Sequence, residues 1–377
     1  MKDETEAVHD DFSFQNRPLM PPIFQTSAYA LPEGVKYRYT RENNPTVEYL
    51  NNKIASLERT DKAASFSSGM GAITTVLLRH LRPGKRVLIH SDVFARTLHF
   101  LKNFLSEWNI QTTISGPGTD SLLQSYDGHD IVFVESISNP TLRVHDIERI
   151  SHSIEEESLL IVDSTFATPV NVNPIKLGAD VVIHSGSKFL SGHNDVIAGF
   201  AAGQSKVIEE IDQFRKTMGE SLDPFAAYLT IRGIKTLSIR MRQSEASALK
   251  ISDELLGSGL VNHVFYPGLH DHPDYEITKR QMRGVGGVLS FSLKKKIQKQ
   301  EELFASLKTI ISANTLGGTN TTISHPATMS HRSYSVEEMK NAGFDDGLYR
   351  LSVGLENWND ISEDLLSAIK RAVNAGD

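Results

Sequence analysis

From Val47 onward the chain falls into two kinds of apolar pattern. Val47, Leu50, Ile54 and Leu57 recur at helical spacing with Thr46 placed to cap them, and residues 73–81 form a second helix-compatible stretch. Beyond them stand short apolar runs at 87–90, 111–114, 131–135, 159–162, 181–183 and 197–202, which read as strands. Residues 94–108 and 146–156 read as helices among them. This alternation predicts an α/β fold whose main sheet is mostly parallel and covered on both faces. Residues 1–40 show neither period and carry Pro18, Pro21, Pro22 and Pro32, which predicts an extended N-terminal arm.

Asp223-Pro224 opens a long helical region, and the pattern changes near it. The expected divisions are the arm over 1–40, a large domain over 41–238 and a smaller C-terminal α/β domain over 239–377. In the last of these, 286–293 is the clearest strand and 300–311 reads as a helix. A length of 377 residues agrees with more than one core.

Composition narrows the function classes. The formal net charge is -7 with both signs interspersed, so no basic stripe marks a reader of nucleic acid. With no cysteine, disulfides, thiol catalysis and cysteine zinc sites are excluded. His270, His272, His325 and His331 lack metal-ligand spacing and read as turn or surface residues, so no metal is expected. No apolar run has the length of a membrane span, and residues 1–11 are acidic, which together predict a cytoplasmic protein with no membrane partner.

Candidate chemistry gathers where the predicted strands stop. The run 181–183 ends in His184-Ser185-Gly186-Ser187-Lys188, which places an amine and two hydroxyls at a strand exit. The run 159–162 ends in Asp163. One crossover apart, both would project from the carboxyl edge of a parallel sheet, where ligands of such folds collect. A lysine that can form an imine and a carboxylate that can keep a pyridine nitrogen protonated are what pyridoxal 5'-phosphate requires. Ser67, Ser68, Gly69 and Met70 precede a helix and could bring free amides to a phosphate, or simply start that helix. Phe94 could stack on a flat ring or pack in the core, and Asn139 before Pro140 could bond a ring substituent or shape a turn. The segment from Tyr37 to Thr46, with Tyr39 and Arg41, could grip an anion, in its own or a second subunit, or pack on its own domain. Arg350 lies in an apolar strand-like run and requires an anion or carbonyl partner if buried.

Taken in order, the motifs YTRENNPT, FSSGMGA, ESISNPT, VDSTFATP, HSGSKFLSGHND, RGIKTLSIRM, YPGLHDHP, HPATMSH and YRLSVGLE cover nearly the whole chain. The chain resembles the Cys/Met-metabolism family of pyridoxal-phosphate enzymes, which includes cystathionine γ-synthases, cystathionine γ- and β-lyases, methionine γ-lyases and O-acylhomoserine sulfhydrylases. The resemblance implies the aspartate-aminotransferase-like fold, fold type I, in a homotetramer of two intimate dimers acting on small amino-acid substrates. It implies that Lys188 carries the cofactor and shuttles protons, and that Asp163 pairs with the pyridine nitrogen. Ser68, Gly69, Met70, Ser185 and Ser187 would hold the phosphate, which Tyr39 and Arg41 would reach from the adjacent subunit. Arg350 would clamp the substrate α-carboxylate, with Asn139 and the Asn314-Thr315 segment beside it.

Three positions depart from the family's usual pattern. Phe94-Ala95-Arg96-Thr97 stands where a tyrosine in a YGGT-like segment is common, Ser187 where threonine is common, and Asn314-Thr315-Leu316-Gly317-Gly318 where ESLGG is common. A phenol is suited to protonating a departing sulfur, whereas an acyl group leaves as a stable carboxylate. Phe94 therefore predicts γ-replacement on an O-acylhomoserine by a thiol, with γ-elimination from cystathionine or methionine as the alternative. Arg96 is either a surface residue or a charge near the substrate's distal end.

Overall fold

The structure, a computed structural model, describes residues 2–9, 18–31, 35–297 and 300–374. The large sheet draws on β1 (Lys62–Phe66), β2 (Arg86–His90), β3 (Gln111–Ser115), β4 (Ile131–Glu135), β5 (Leu159–Asp163), β6 (Val181–Ser185) and β7 (Gly199–Gly203), in the order β1-β7-β6-β5-β4-β2-β3. Pairings from β3 through β6 are parallel, while β7 runs antiparallel to β6 and β1. A second sheet combines β8 (Val261–Phe265), β9 (Val288–Leu293), β10 (Ile311–Ser312), β11 (Thr322–Ser324) and β12 (Leu348–Ser352), in the order β10-β11-β12-β9-β8. The fold is α/β with a mostly parallel main sheet, as expected.

Strand alternation shows how the main sheet is buried. Val132 and Val134 of β4 with Leu160 and Val162 of β5 enter one apolar core, while Ile131, Phe133 and Ile161 enter another. Successive side chains leave opposite faces of a strand, so the sheet is covered on both. A third core lies between the second sheet and helices Leu237–Gly257 and Trp358–Asn374, through Ile251, Leu255, Phe291, Leu351 and Leu365.

Several sequence expectations need correction. Asp3–Val8 is a helix within the expected arm: its Glu6 carbonyl accepts from Lys53 Nζ at 2.8 Å and Ala7 is buried. Residues 18–31 and 35–40 are largely irregular, with one bridge between Ala28 and Tyr39; Pro32 and residues 10–17 of the arm lie outside the described residues. Asn44, not Thr46, caps helix Pro45–Glu58, accepting from Thr46 N at 2.9 Å. The expected helix over 94–108 divides into an α-turn at Ala95–His99, a wide π-turn at Phe100–Phe104 and a tight turn at Leu105–Trp108, with Phe100 and Phe104 rings 6.1 Å apart. Strand β1 was not foreseen, because Ala63, Ala64 and Ser65 carry little β-propensity. The helix expected over 300–311 stops at Ser306. His272, His325 and His331 are buried rather than superficial; His325 Nε2 meets the Asp346 carbonyl at 2.7 Å.

Candidate active site

Strands β2, β4, β5 and β6 are parallel, so their carboxyl ends share one edge of the sheet. Each delivers a side chain to a cavity of about 500 Å³: Phe94 beyond β2, Glu135 and Asn139 from β4, Asp163 from β5, and Ser185, Ser187 and Lys188 from β6. Helix Gly69–His80 starts at the same place, adding Ser68, Gly69 and Met70. Arg350 arrives from β12 of the second sheet, and Asn314 from the loop before β11. Thr315 is beside the amine, its hydroxyl accepting from Lys188 Nζ at 3.4 Å.

The helix start is shaped for an anion. Ser68 Oγ accepts from Gly71 N at 2.9 Å, and the first amides of an α-helix have no intrahelical acceptor. A Cβ on Gly69 would meet Ser185 Cβ at 2.8 Å, and one on Gly199 would meet the Ser68 carbonyl at 2.0 Å. Two glycines therefore let helix, β6 and β7 close around this cradle. Ser187 Oγ accepts from Ala198 N at 3.1 Å, which fixes its hydroxyl at the rim.

Asp163 Oδ1 accepts from Thr165 N at 2.9 Å and from Thr165 Oγ1 at 2.5 Å, while Thr165 Oγ1 accepts from Ser185 N at 2.8 Å. The threonine thus locks the ends of β5 and β6 together. Burial raises the Asp163 pKa, and the Thr165 donors and the neighbouring His184 pull the other way. Across the ladder from Asp163 stands Glu135, whose two oxygens accept from Phe94 N at 2.9 Å and Asn139 N at 3.0 Å. Burial, reinforced by the Asp163 charge, pushes the Glu135 carboxyl well above its ordinary range.

Two cations share the other wall. Burial, with the Arg350 charge beside it, pushes the Lys188 amine down to about 8. Arg350 is 3% exposed; its Nη1 donates to Asn139 Oδ1 at 2.8 Å, but its Nε has no partner among the described residues. Asn139 precedes a cis Pro140, and its side chain meets β12 across 211 positions of sequence. No acid pairs with Arg350 among the described residues, so the buried guanidinium is a ready partner for a carboxylate from outside.

The cavity therefore offers an amine, a buried carboxylate, a flat aromatic wall, an anion cradle and an unpaired arginine, which fits a phosphate-bearing pyridine ring and an amino acid. A family model described as Cys/Met metabolism PLP-dependent enzyme matches residues 4–370. The chain belongs to that family. It is 38% identical over 371 residues to an L-methionine γ-lyase of Fusobacterium nucleatum, covering 94% of each protein. It is 36% identical over 364 residues to the chloroplastic cystathionine γ-synthase 1 of Arabidopsis thaliana, covering 93% of this chain and 65% of that protein. The cystathionine γ-synthase of Xanthomonas oryzae pv. oryzae, solved in complex with cystathionine, superposes with a TM-score of 0.95 at 31% identity, covering 99% of this chain and 98% of the other. The chain is thus a pyridoxal-phosphate enzyme of sulfur amino-acid metabolism with the fold its relatives share.

Tyr39 and Arg41 do not line this cavity. Tyr39 is 44% exposed, and Arg41 lies over its ring at 5.5 Å and donates to the Lys216 carbonyl at 2.8 Å. Thr165, Phe166 and Ser330, which do border the cavity or brace it, were missed. The Asp-x-Thr spacing at 163–165 is the signal of a local side-chain turn and could have flagged Thr165. Phe166 and Ser330 carry no such local signal.

Proposed function

We propose that the enzyme catalyses γ-replacement, exchanging the acyl group of an O-acylhomoserine for the sulfur of a thiol to give cystathionine or homocysteine. The observation that carries this reading is Phe94: among the described residues, no tyrosine lines the cavity. Replacement breaks the Cγ–O bond, with the carboxylate leaving on its electron pair, and forms a Cγ–S bond as the thiol gives up its proton. A carboxylic acid has a pKa roughly 4 units below that of a thiol, about 5 kcal/mol easier to release as an anion. A site with no phenol at position 94 to protonate the leaving group can expel the first far more readily than the second.

When bound, pyridoxal phosphate supplies the electron-accepting ring that makes loss of the α- and β-protons feasible. The Asp163 oxygen left free by Thr165 would face the ring nitrogen, Phe94 would lie against the ring, and the amides at Gly69 and Met70 with the Ser68, Ser185 and Ser187 hydroxyls would take the phosphate. Arg350, steadied by Asn139, would hold the substrate α-carboxylate. Asn314 and Thr315 would border the substrate amino group. Lys188 Nζ would take the α-proton and return one to the product; its lowered pKa suits a base working near neutrality. Tyr39 and Arg41 would reach the phosphate of a second copy of the chain, in a homotetramer of two intimate dimers.

Restoring the phenol tests the reading. Phe94→Tyr should increase the ratio of elimination from cystathionine to replacement on the ester by about tenfold or more, measured as 2-oxobutyrate against cystathionine formed. An unchanged ratio would remove Phe94 from the choice of reaction.

A further inference from the structure

The catalytic cavity continues past Phe94. A hollow of about 440 Å³ adjoins it and shares Phe94, Asn314 and Ser330 with it. The charged side chains of this vestibule are Arg96 and Arg332, joined by the imidazole of His99; no Asp or Glu lines it. Both arginines are exposed, and among the described residues neither guanidinium makes a hydrogen bond or ion pair. Elsewhere around the large sheet, Arg79 pairs with Glu210, Arg86 with Asp127 and Arg149 with Asp120. Two unpaired guanidiniums at the mouth of a substrate cavity are a different arrangement.

Both are held in relation to Phe94. Arg96 belongs to the single turn Ala95–His99 that Phe94 caps. Arg332 follows His331, whose buried ring meets Tyr334 edge-on at 5.0 Å and Phe344 at 5.5 Å. Tyr334 Oη donates to the carbonyls of Ser91 at 3.3 Å and Val93 at 3.4 Å, the residues that lead into Phe94. The loop from the C-terminal region is thereby pinned to the strand exit. A substrate with its α-carboxylate on Arg350 and its reacting carbons at Lys188 would extend its γ-substituent over the sill formed by Phe94 and Ser330.

We infer that Arg96 and Arg332 form a subsite for a negatively charged terminus on the leaving group, so the preferred substrate is a homoserine ester carrying a second anion, a dicarboxylic acyl or a phosphoryl ester, rather than an acetyl ester. This rests on the replacement reading above. The guanidinium fork suits carboxylate and phosphate alike, and an acetyl methyl would leave both arginines without a partner.

The test compares kcat/KM of the holoenzyme for O-succinyl-, O-phospho- and O-acetylhomoserine at saturating cysteine. The better anionic ester should exceed the acetyl ester by about tenfold or more, and the advantage should shrink with added salt. In the Arg96→Ala/Arg332→Ala double variant the ratio should fall towards one. Which anionic ester leads separates a carboxylate from a phosphate. An acetyl ester used as well or better by the native enzyme, or an anionic preference that survives in the double variant, overturns the inference. If no ester is replaced at all, the parent reading fails, and the subsite is then judged by calorimetric titration of succinate and of inorganic phosphate into the holoenzyme. Binding of either that the double variant loses upholds it; equal binding by both proteins, or none by the native one, overturns it.

Discussion

Lys188 and Arg350 are two cations buried on one wall, and the arginine's charge adds to the effect of burial on the lysine. Burial and the arginine's charge hold the lysine at about 8 instead of the ordinary 10.5. A base must be unprotonated to act, so the lowered value makes the working form available near neutral pH. The rate of α-proton exchange from bound amino acid should therefore rise with pH through a limb near 8, read by loss of the α-deuterium label; a limb near 10.5 would show that the arginine and the burial do not act on this amine. The arginine in turn keeps a donor unpaired, at a cost of roughly 1–3 kcal/mol for a buried polar group. Lys188, Asp163 and Arg350 were all legible as residues, because each interrupts or ends an apolar run. Of their partners, Asn139 was placed beside Arg350 by the resemblance and not by the local pattern, since the two stand 211 positions apart, while Thr165, which acts through a turn, was missed.

Elements position these groups through their ends. Parallel pairing from β2 to β6 puts Phe94, Asn139, Asp163 and Lys188 at one edge, and the apolar runs predicted those strands to within a few residues. What the local pattern could not supply was β1, whose small residues gain their strand character from the antiparallel pairing with β7. That pairing has a functional use, because it draws Gly199 against the Ser68 carbonyl and sets the start of the helix that follows β1. Gly199→Ala would place a methyl 2.0 Å from that carbonyl. Relief of such a clash costs roughly 1–3 kcal/mol and should come from the anion cradle, weakening cofactor affinity by about tenfold or more. Titration of the apo variant with pyridoxal phosphate would show it; native affinity would mean that the helix start is not the phosphate site. The buried histidines are the counterpart error, for nothing in their local sequence announces that His325 and His331 fill the join between the second sheet and the loop carrying Ser330.

At the scale of the molecule, the cavity is built by both sheets, yet Tyr39 and Arg41 stand on the surface and do not line it. If they complete a neighbour's phosphate site, the unit of function is a pair of chains. Arg41→Ala and Lys188→Ala would each be inactive, while mixed assemblies refolded from both would regain roughly a quarter of the native sites by random pairing. No recovery on mixing would place the phosphate site within one chain. The relatives include both a methionine γ-lyase and a cystathionine γ-synthase, so the fold alone does not set the direction of the chemistry, which the proposed reading assigns to Phe94. The most direct measurement is product identification by mass spectrometry from the cofactor-loaded enzyme, given an O-acylhomoserine with cysteine in one vessel and cystathionine or methionine alone in the other. Cystathionine from the first, with little 2-oxobutyrate from the second, is the predicted result. Rapid 2-oxobutyrate and ammonia from the second, with no thioether from the first, would contradict it and make the enzyme a lyase.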